Sequence, residues 1–496
     1  MRLAELVAEA LGVRPALPDV EVSRVAQSTL ELGGALDGSS AVFVARRGAA
    51  SDGHRFVPQA LEKGAVAVVG TALPDELTRF PWHNTVPYIY VPDDKIALAK
   101  LAATLYGRPS QKLFTLGVTG TDGKTTTAYL LHHLLSPEAG LISTAGAKVG
   151  GETLHLPGHF TTPEAPAVQE LLARFVAAGL PYAVVESSSH GLAMHRLDEV
   201  DYDVGVWTNL TPEHLDFHGT FGAYRDAKAQ LMDRAGVSVL NLDDPEYGYF
   251  AARAARSVSY GLTAGATFRA VDVREAPGAL SWELGYGGET FPATLPMVGR
   301  YNVLNALAAL AAAHLAGVPV GALLERLKAF PGVPGRMQVV QTEPFAVVVD
   351  FAHTPAALTK ALGAVRQQVA GRLVVVVGAA GERDPGKRAP LGASAVRGAD
   401  VAVFTEEDSR SEDTATILAA MAAGAAAAGG RAGETFLTEP DRREAIRRAV
   451  RLAAPGDLVL LAGKGHERTL ERRAETLPWD EVAEAKAVLA ERTPRG

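Results

Sequence analysis

Ten residues carry the clearest chemistry in this 496-residue chain: Gly117-Val118-Thr119-Gly120-Thr121-Asp122-Gly123-Lys124-Thr125-Thr126. Glycines let a backbone curl so that several N–H groups face one phosphate, and a helix starting just beyond adds its positive end. Lys124 is placed to reach β- and γ-phosphate oxygens, and the Thr125 hydroxyl to ligate Mg²⁺. The spacing departs from the strict phosphate-loop form, which wants glycine at position 118; here it stands at Gly117, with Gly120 added. The plainer reading, a glycine-rich turn with no ligand, fits poorly with the apolar run before it and the helical pattern after it.

Further along, Glu186 closes the apolar run Ala183-Val184-Val185 and precedes Ser187-Ser188-Ser189-His190. A carboxylate there, expected two strands away from the phosphate loop, suits Mg²⁺, although a solvated loop glutamate would look the same. His214, Asp216 and His218 cluster within 209–218, which fits either a metal site or hydrogen bonding inside a loop. Lys228 falls on the apolar side of a helical pattern over 221–235, beside Phe221, Tyr224, Leu231 and Met232. One reading has its stem lying along the helix while the amine reaches water. The other has a buried amine, neutral enough to react, facing the metal site.

These residues need elements to hold them. The pattern from Leu113 to Val118 predicts a strand, and that from Lys124 to Leu135 a helix, so the loop joins the two as in a nucleotide-binding α/β domain. A helical run over 96–106 ends at the Gly/Pro cluster around Pro109, and an alanine-rich helical run over 305–315 is followed by Pro331-Gly332-Val333-Pro334-Gly335. These breaks divide the chain into blocks of 1–109, 110–332 and 333–496. In the last block, strands are predicted at 346–350, 373–378, 400–405 and 457–462, each followed by a helical pattern, which implies a parallel doubly wound sheet. Four polar clusters begin just past those strands: Asp350-Phe351-Ala352-His353, Gly381-Glu382-Arg383-Asp384, Glu406-Glu407-Asp408-Ser409-Arg410 and Gly463-Lys464-Gly465-His466-Glu467. Ligands bind at the carboxyl ends of strands in such sheets, so the four clusters should converge.

Composition narrows the class. A hydrophobic share of 47% and a charged share of 21% are ordinary for a globular protein, and the length requires several cores. The net charge of −8 disfavours nucleic acid as a partner. With no cysteine, thiol catalysis and Cys-ligated zinc are excluded. Glu5 and Glu9 interrupt the N-terminal apolar stretch as no secretory signal would, so a cytoplasmic location is expected. The run 415–430 is mostly alanine and reads as a packed helix, so no membrane insertion is expected.

Taken in order, the motifs resemble the Mur ligases along essentially the whole chain, and within them the members that add the third residue of the peptidoglycan stem peptide. Gly120-Thr121-Asp122-Gly123-Lys124-Thr125-Thr126 resembles the family's GTxGKTT. Thr161-Thr162-Pro163, Ser188-Ser189-His190-Gly191-Leu192 and His195-Arg196 resemble the stretches that hold the muramoyl-dipeptide. Asn209-Leu210, His214-Leu215-Asp216 and Tyr224-Arg225-Asp226-Ala227-Lys228 resemble the metal segment, whose lysine is carbamylated in the family. Gly299-Arg300-Tyr301-Asn302 with Asn305 resembles the adenine segment, and Pro334-Gly335-Arg336 with Asp350 the further ATP contacts.

The resemblance implies a three-domain α/β enzyme with a uridine-binding N-terminal domain, a P-loop-type central ATPase domain and a Rossmann-like C-terminal domain. It implies ATP and Mg²⁺, with Thr125, Glu186, His214 and carbamylated Lys228 at the metal, and UDP-MurNAc-L-Ala-D-Glu as substrate, held by Ser28, Thr161, Thr162, Ser188 and Arg196. The D-Glu carboxylate would be activated as an acyl-phosphate and then attacked by a diamino acid, with the third domain closing over the second to exclude water. A monomer is expected.

Two departures bear on substrates. Gln27-Ser28-Thr29 replaces the usual Asp-Ser-Arg, so only Ser28 transfers, and Met194 replaces a common glutamine. Arg383, Arg410, Gly463 and Glu467 match the family's amino-acid contacts, but Glu407-Asp408-Ser409-Arg410 stands where meso-diaminopimelate users have Asp-Asn-Pro-Arg. Asp408 beside Glu406 and Glu407 would repel a distal carboxylate and attract a bare ammonium, which favours L-ornithine or L-lysine. A folylpolyglutamate-synthetase-like ligase or a non-catalytic nucleotide-binding partner are the alternatives. The uridine-type first block speaks against the former, and intact Glu186, His214 and Lys228 against the latter.

Overall fold

The structure, a computed structural model, describes residues 1–32, 40–48, 51–154, 161–276, 278–473 and 475–492. The chain forms two compact units: Met1–Phe268 with Leu307–Leu323, and Arg269–Ala306 with Leu324–Gly496.

The first unit opens with a four-stranded parallel sheet in the order β1 (Arg24–Ala26), β2 (Ala41–Ala45), β3 (Ala65–Gly70) and β4 (Tyr88–Tyr90). Helices Leu3–Leu11 and Asp94–Leu105 cover one face, burying Leu3, Leu6, Val7, Leu98 and Leu101 with Val42 and Val69. The second helix starts two residues earlier than its apolar pattern suggests, because the Asp93 carboxylate accepts from the N–H groups of Lys95 and Ile96.

The same unit then holds β5 (Phe114–Thr119), β6 (Ala139–Ser143), β7 (Gly146–Val149), β8 (Glu152–Leu154), β9 (Tyr182–Glu186), β10 (Tyr202–Trp207), β11 (Ala235–Asn241) and β12 (Ser257–Gly261). They lie in the order β12-β11-β10-β5-β9-β6-β7-β8. β7 runs antiparallel to its neighbours β6 and β8 and the other pairings named are parallel, with β5 and β9 buried on both faces as crossover helices require. The strand carrying Glu186 is β5's direct neighbour, one strand from the phosphate loop rather than two. Strand β6, which comes between them in chain order, pairs on the far side of β9.

The second unit contains an antiparallel meander of β13 (Phe268–Ala276), β14 (Ala279–Tyr286) and β15 (Glu289–Leu295). Its main sheet has six strands: β16 (Gln338–Gln341), β17 (Ala346–Asp350), β18 (Leu373–Ala379), β19 (Val401–Glu406), β20 (Phe436–Thr438) and β21 (Leu458–Ala462), in the order β16-β17-β21-β18-β19-β20. The four strands expected from sequence are its parallel centre, and β20 extends it in parallel. Short β16 adds an antiparallel edge that its mixed polarity conceals. A hairpin, β22 (Thr469–Arg472) and β23 (Glu475–Pro478), follows β21. Helix Thr414–Ala427 is the alanine-rich run, with Ile417, Leu418, Met421 and Ala425 buried in this unit's core.

Candidate active site

The phosphate loop leaves the carboxyl end of β5 and enters helix Lys124–Leu135 at the residues the pattern predicts. Gly120 holds φ at +145°, and a Cβ there would stand 1.9 Å from the Thr208 hydroxyl, so glycine is obligatory. The loop is tied to the segment after β10. The Thr208 hydroxyl donates to Asp122 O at 2.6 Å, Asp122 N donates to the Asn209 side chain at 2.9 Å, and Thr211 N donates to the Thr121 hydroxyl at 2.9 Å. Tyr224 closes the set by sharing a hydrogen bond with the Thr121 hydroxyl at 2.9 Å.

Two lysines meet on one carbonyl. Lys124 Nζ donates to Gly120 O at 3.0 Å and to Thr121 O at 2.8 Å, while Lys228 Nζ donates to Gly120 O at 2.6 Å. Thr220 caps the helix Phe221–Arg234 that carries Lys228. The side chain is 2% exposed and lies over the Tyr224 ring, so it does not reach along the helix to water. Burial, reinforced by the Lys124 charge, pushes its pKa well below the ordinary lysine value. A buried amine held partly neutral is the form that can take up CO₂.

Glu186 is fully buried at the end of β9 and accepts from the Thr125 hydroxyl at 2.9 Å, from Thr144 N at 2.9 Å and from the Thr144 hydroxyl at 3.1 Å. Thr144 escaped the sequence reading because a threonine after a short strand has no distinctive signature. His214, half exposed at φ +55°, packs its ring 4.7 Å from that of His190 and 6.3 Å from that of Tyr224. Among the described residues, no hydrogen bond joins Glu186 to His214 or Lys228, and no three His, Asp or Glu side chains gather into a metal nest. The oxygen donors of Thr125 and Glu186 suit Mg²⁺, whereas Lys228 as a free ammonium does not and would need the oxygens of a carbamate.

Beside this cluster, the Thr162 hydroxyl donates to Glu186 O at 2.9 Å and shares a 2.9 Å hydrogen bond with Ser188, whose hydroxyl caps helix Ser189–Ala193. Arg196, 6% exposed, donates to Thr162 O at 2.9 Å and pairs with Glu164 at 2.6 Å. Thus Thr162, Ser188 and Arg196 form one contiguous group, next in chain to Thr161. Ser28 lies in the turn after β1, accepting from Leu30 N at 3.2 Å.

In the second unit, the Asn302 side chain donates to Val298 O at 2.7 Å and accepts from Asn305 at 2.9 Å. Asp350 accepts from Met337 N at 2.8 Å and Ala352 N at 2.9 Å, and burial raises its pKa. Arg336 lies over the Phe351 ring, 4.7 Å from its centroid.

The four strand-end clusters do converge, since Gly381 N donates to Asp408 O and Gly463 N to Asp350 O. The acidic triplet is not what its sequence suggests. Asp408 pairs at 2.8 Å with fully buried Lys464, and Arg472 takes up the charge of Glu406. Asp408 therefore presents no free negative charge and, contrary to expectation, is not the group that would repel a distal carboxylate. The partner, Lys464, stands in the polar cluster just past β21, and its pairing with Asp408 has no local signal in the sequence. Glu407 is left: it is buried, its Oε2 has no hydrogen-bond partner among the described residues, and burial lifts its pKa to about 7. That oxygen lies 3.3 Å from where a Cβ on Gly463 would stand. Arg410 pairs with Glu471 at 2.8 Å and donates to Gly381 O at 2.7 Å, Glu467 pairs with Lys464 at 2.6 Å, and Arg383 is exposed.

Comparison with known proteins decides the family. Residues 28–106 match the model of the Mur ligase family catalytic domain, 118–313 the Mur ligase middle domain and 335–465 the Mur ligase glutamate ligase domain. A UDP-N-acetylmuramyl-tripeptide synthetase of Deinococcus radiodurans is 51% identical over 459 residues, covering 91% of this chain and 92% of that one. The chain belongs to the Mur ligase family. Within this Mur ligase, the matches place it with the tripeptide synthetases. A UDP-N-acetylmuramoyl-L-alanyl-D-glutamate–2,6-diaminopimelate ligase of Geobacillus thermodenitrificans is 39% identical, covering 91% of this chain and 92% of its own. A solved structure of a ligase of that name superposes with a TM-score of 0.67 at 28% identity, covering 99% of each chain. Among the described residues of this Mur ligase, no helix is long and apolar enough to cross a membrane.

Proposed function

We propose that this Mur ligase, an ATP-dependent amide ligase of peptidoglycan tripeptide synthesis, joins a diamino acid to the D-Glu carboxylate of UDP-MurNAc-L-Ala-D-Glu through an acyl-phosphate. The convergence of Lys124, Lys228 and the Thr125–Glu186 pair on one phosphate loop carries this reading.

The loop N–H groups and Lys124 would bind the ATP phosphates and oppose the charge that develops as the γ-phosphoryl moves to the acceptor carboxylate. Thr125, Glu186, His214 and a carbamate on Lys228 are the residues that would hold Mg²⁺, which when bound neutralises phosphate charge. Thr161, Thr162, Ser188 and Arg196, with Ser28, would bind and orient the UDP-linked dipeptide; the buried guanidinium beside Thr162 and Ser188 suits an anionic substrate. Asn302, Asn305, Arg336 and Asp350 are the further residues assigned to ATP.

For the incoming amino acid, the groups are Arg383, Glu407, Asp408, Arg410, Gly463 and Glu467. Asp408 acts by holding Lys464, and Glu407 supplies the carboxylate that a distal ammonium would neutralise. This favours L-ornithine or L-lysine; meso-diaminopimelate would have to bring its distal carboxylate to Arg410, already paired with Glu471. Phosphate release measured with UDP-MurNAc-L-Ala-D-Glu and each of the three amino acids tests the reading. Turnover is expected with ornithine or lysine, and a clear preference for meso-diaminopimelate would show that Arg410 outweighs Glu407.

A further inference from the structure

We propose that Arg46 and Glu164 are positioning residues for the UDP-linked substrate, fixing the Arg196 guanidinium in register with the turn that carries Ser28; this rests on the assignment of Arg196 and Ser28 to that substrate.

The observation is a chain of charge-assisted contacts. Arg196 reaches Glu164 Oε1 through Nη2 at 2.6 Å and Thr162 O through Nη1 at 2.9 Å, so two bonds fix the plane of its guanidinium. The other oxygen of Glu164, Oε2, accepts from Arg46 Nη1 at 3.1 Å. The same Arg46 nitrogen donates to the Gln27 side chain, and its Nε lies 3.7 Å from Asp94. Gln27 immediately precedes Ser28, and Arg46 directly follows β2, whereas Glu164 immediately precedes helix Ala165–Ala177. The path thus runs from the turn after β1 to the Thr162–Ser188 pair through side chains that are nearly dry. Arg46 is 17% exposed, Glu164 18% and Arg196 6%.

A bidentate fork orients its partner in a way that a single contact does not. Without the Glu164 charge, Arg196 would lose one of the two contacts that set the plane of its guanidinium while remaining buried. Without Arg46, Glu164 could follow Arg196 instead of anchoring it to the first sheet. Either loss misplaces the guanidinium before it meets substrate, which weakens substrate binding without touching the ATP loop.

The test is steady-state kinetics of the full chain, with UDP-MurNAc-L-Ala-D-Glu and ATP varied separately and Tm measured for each variant. Arg46→Gln and Glu164→Gln should each raise KM for the UDP-substrate by about tenfold or more, leaving KM for ATP within about twofold. The double variant should be no worse than the weaker single, because both act on one chain of contacts. Arg46→Lys should restore part of the loss by keeping the charge. An unchanged KM for the UDP-substrate, or equal increases in both KM values, would mean a structural role only and overturn the proposal. If Glu164→Gln does not fold, the comparison of Arg46→Gln with Arg46→Lys decides by the same criteria. Arg196→Ala is the control: if it leaves the UDP-substrate KM unaltered, the underlying assignment has failed, whereas a large effect there with none at Arg46 and Glu164 rejects the relay alone.

Discussion

Lys124 and Lys228 donate to the same carbonyl, yet their environments give them different work. Lys124 can swing to an incoming phosphate, so Lys124→Ala should lower kcat on the order of 10³-fold while Tm stays near that of the parent. Near-normal turnover would remove the ATP assignment. Lys228 is buried and pushed toward neutrality, so Lys228→Ala should abolish activity, and added short-chain carboxylates should restore part of it by supplying oxygens to the metal. Full activity with an unmodified amine would refute the carbamate. Glu407 gives a pH signature. Its carboxyl, lifted to about 7 by burial, is protonated below that pH and ionised above it. KM for the amino acid should therefore fall as pH rises from 6 to 8, and Glu407→Gln should flatten the profile. The same shift has a stability consequence. The unfolded carboxyl ionises near its ordinary 4.5, so burying Glu407 costs nothing below that pH and costs progressively more up to about 7.

At the scale of elements, the ends of strands do the positioning, and the pair Asp408–Lys464 shows how. These residues follow β19 and β21 and hold two of the four converging clusters together at 2.8 Å. Asp408→Asn would remove one of the two carboxylates paired with buried Lys464, leaving Glu467, so about 1–3 kcal/mol of stability should be lost, read as a lower denaturation midpoint. An equally stable variant would contradict the pairing. The phosphate loop, its flanking strand and helix, and the parallel centre of the last sheet were legible in the sequence, because their signals are local: glycine spacing, apolar runs and strand-end polarity. What escaped was set by distant partners. Nothing near Asp408 in sequence announces Lys464, nothing near Glu186 announces Thr144, and the place of β9 beside β5 depends on a crossover that chain order does not reveal. Edge strand β16 and strand β20 are too short and mixed in polarity to stand out.

For the molecule as a whole, each unit supplies its own chemistry: the first brings the phosphate loop together with the Thr162–Ser188–Arg196 group, and the second gathers the strand-end residues assigned to the amino acid. Both sets of residues are proposed to serve one ligation. The most direct measurement is the product of incubating the protein with ATP, Mg²⁺, UDP-MurNAc-L-Ala-D-Glu and L-ornithine or L-lysine, followed by mass spectrometry together with phosphate release. The expected result is one phosphate per UDP-MurNAc-tripeptide formed, with neither appearing when the UDP-substrate or the amino acid is withheld. Phosphate release that ignores the UDP-substrate, or no tripeptide with any of the three diamino acids, would contradict it.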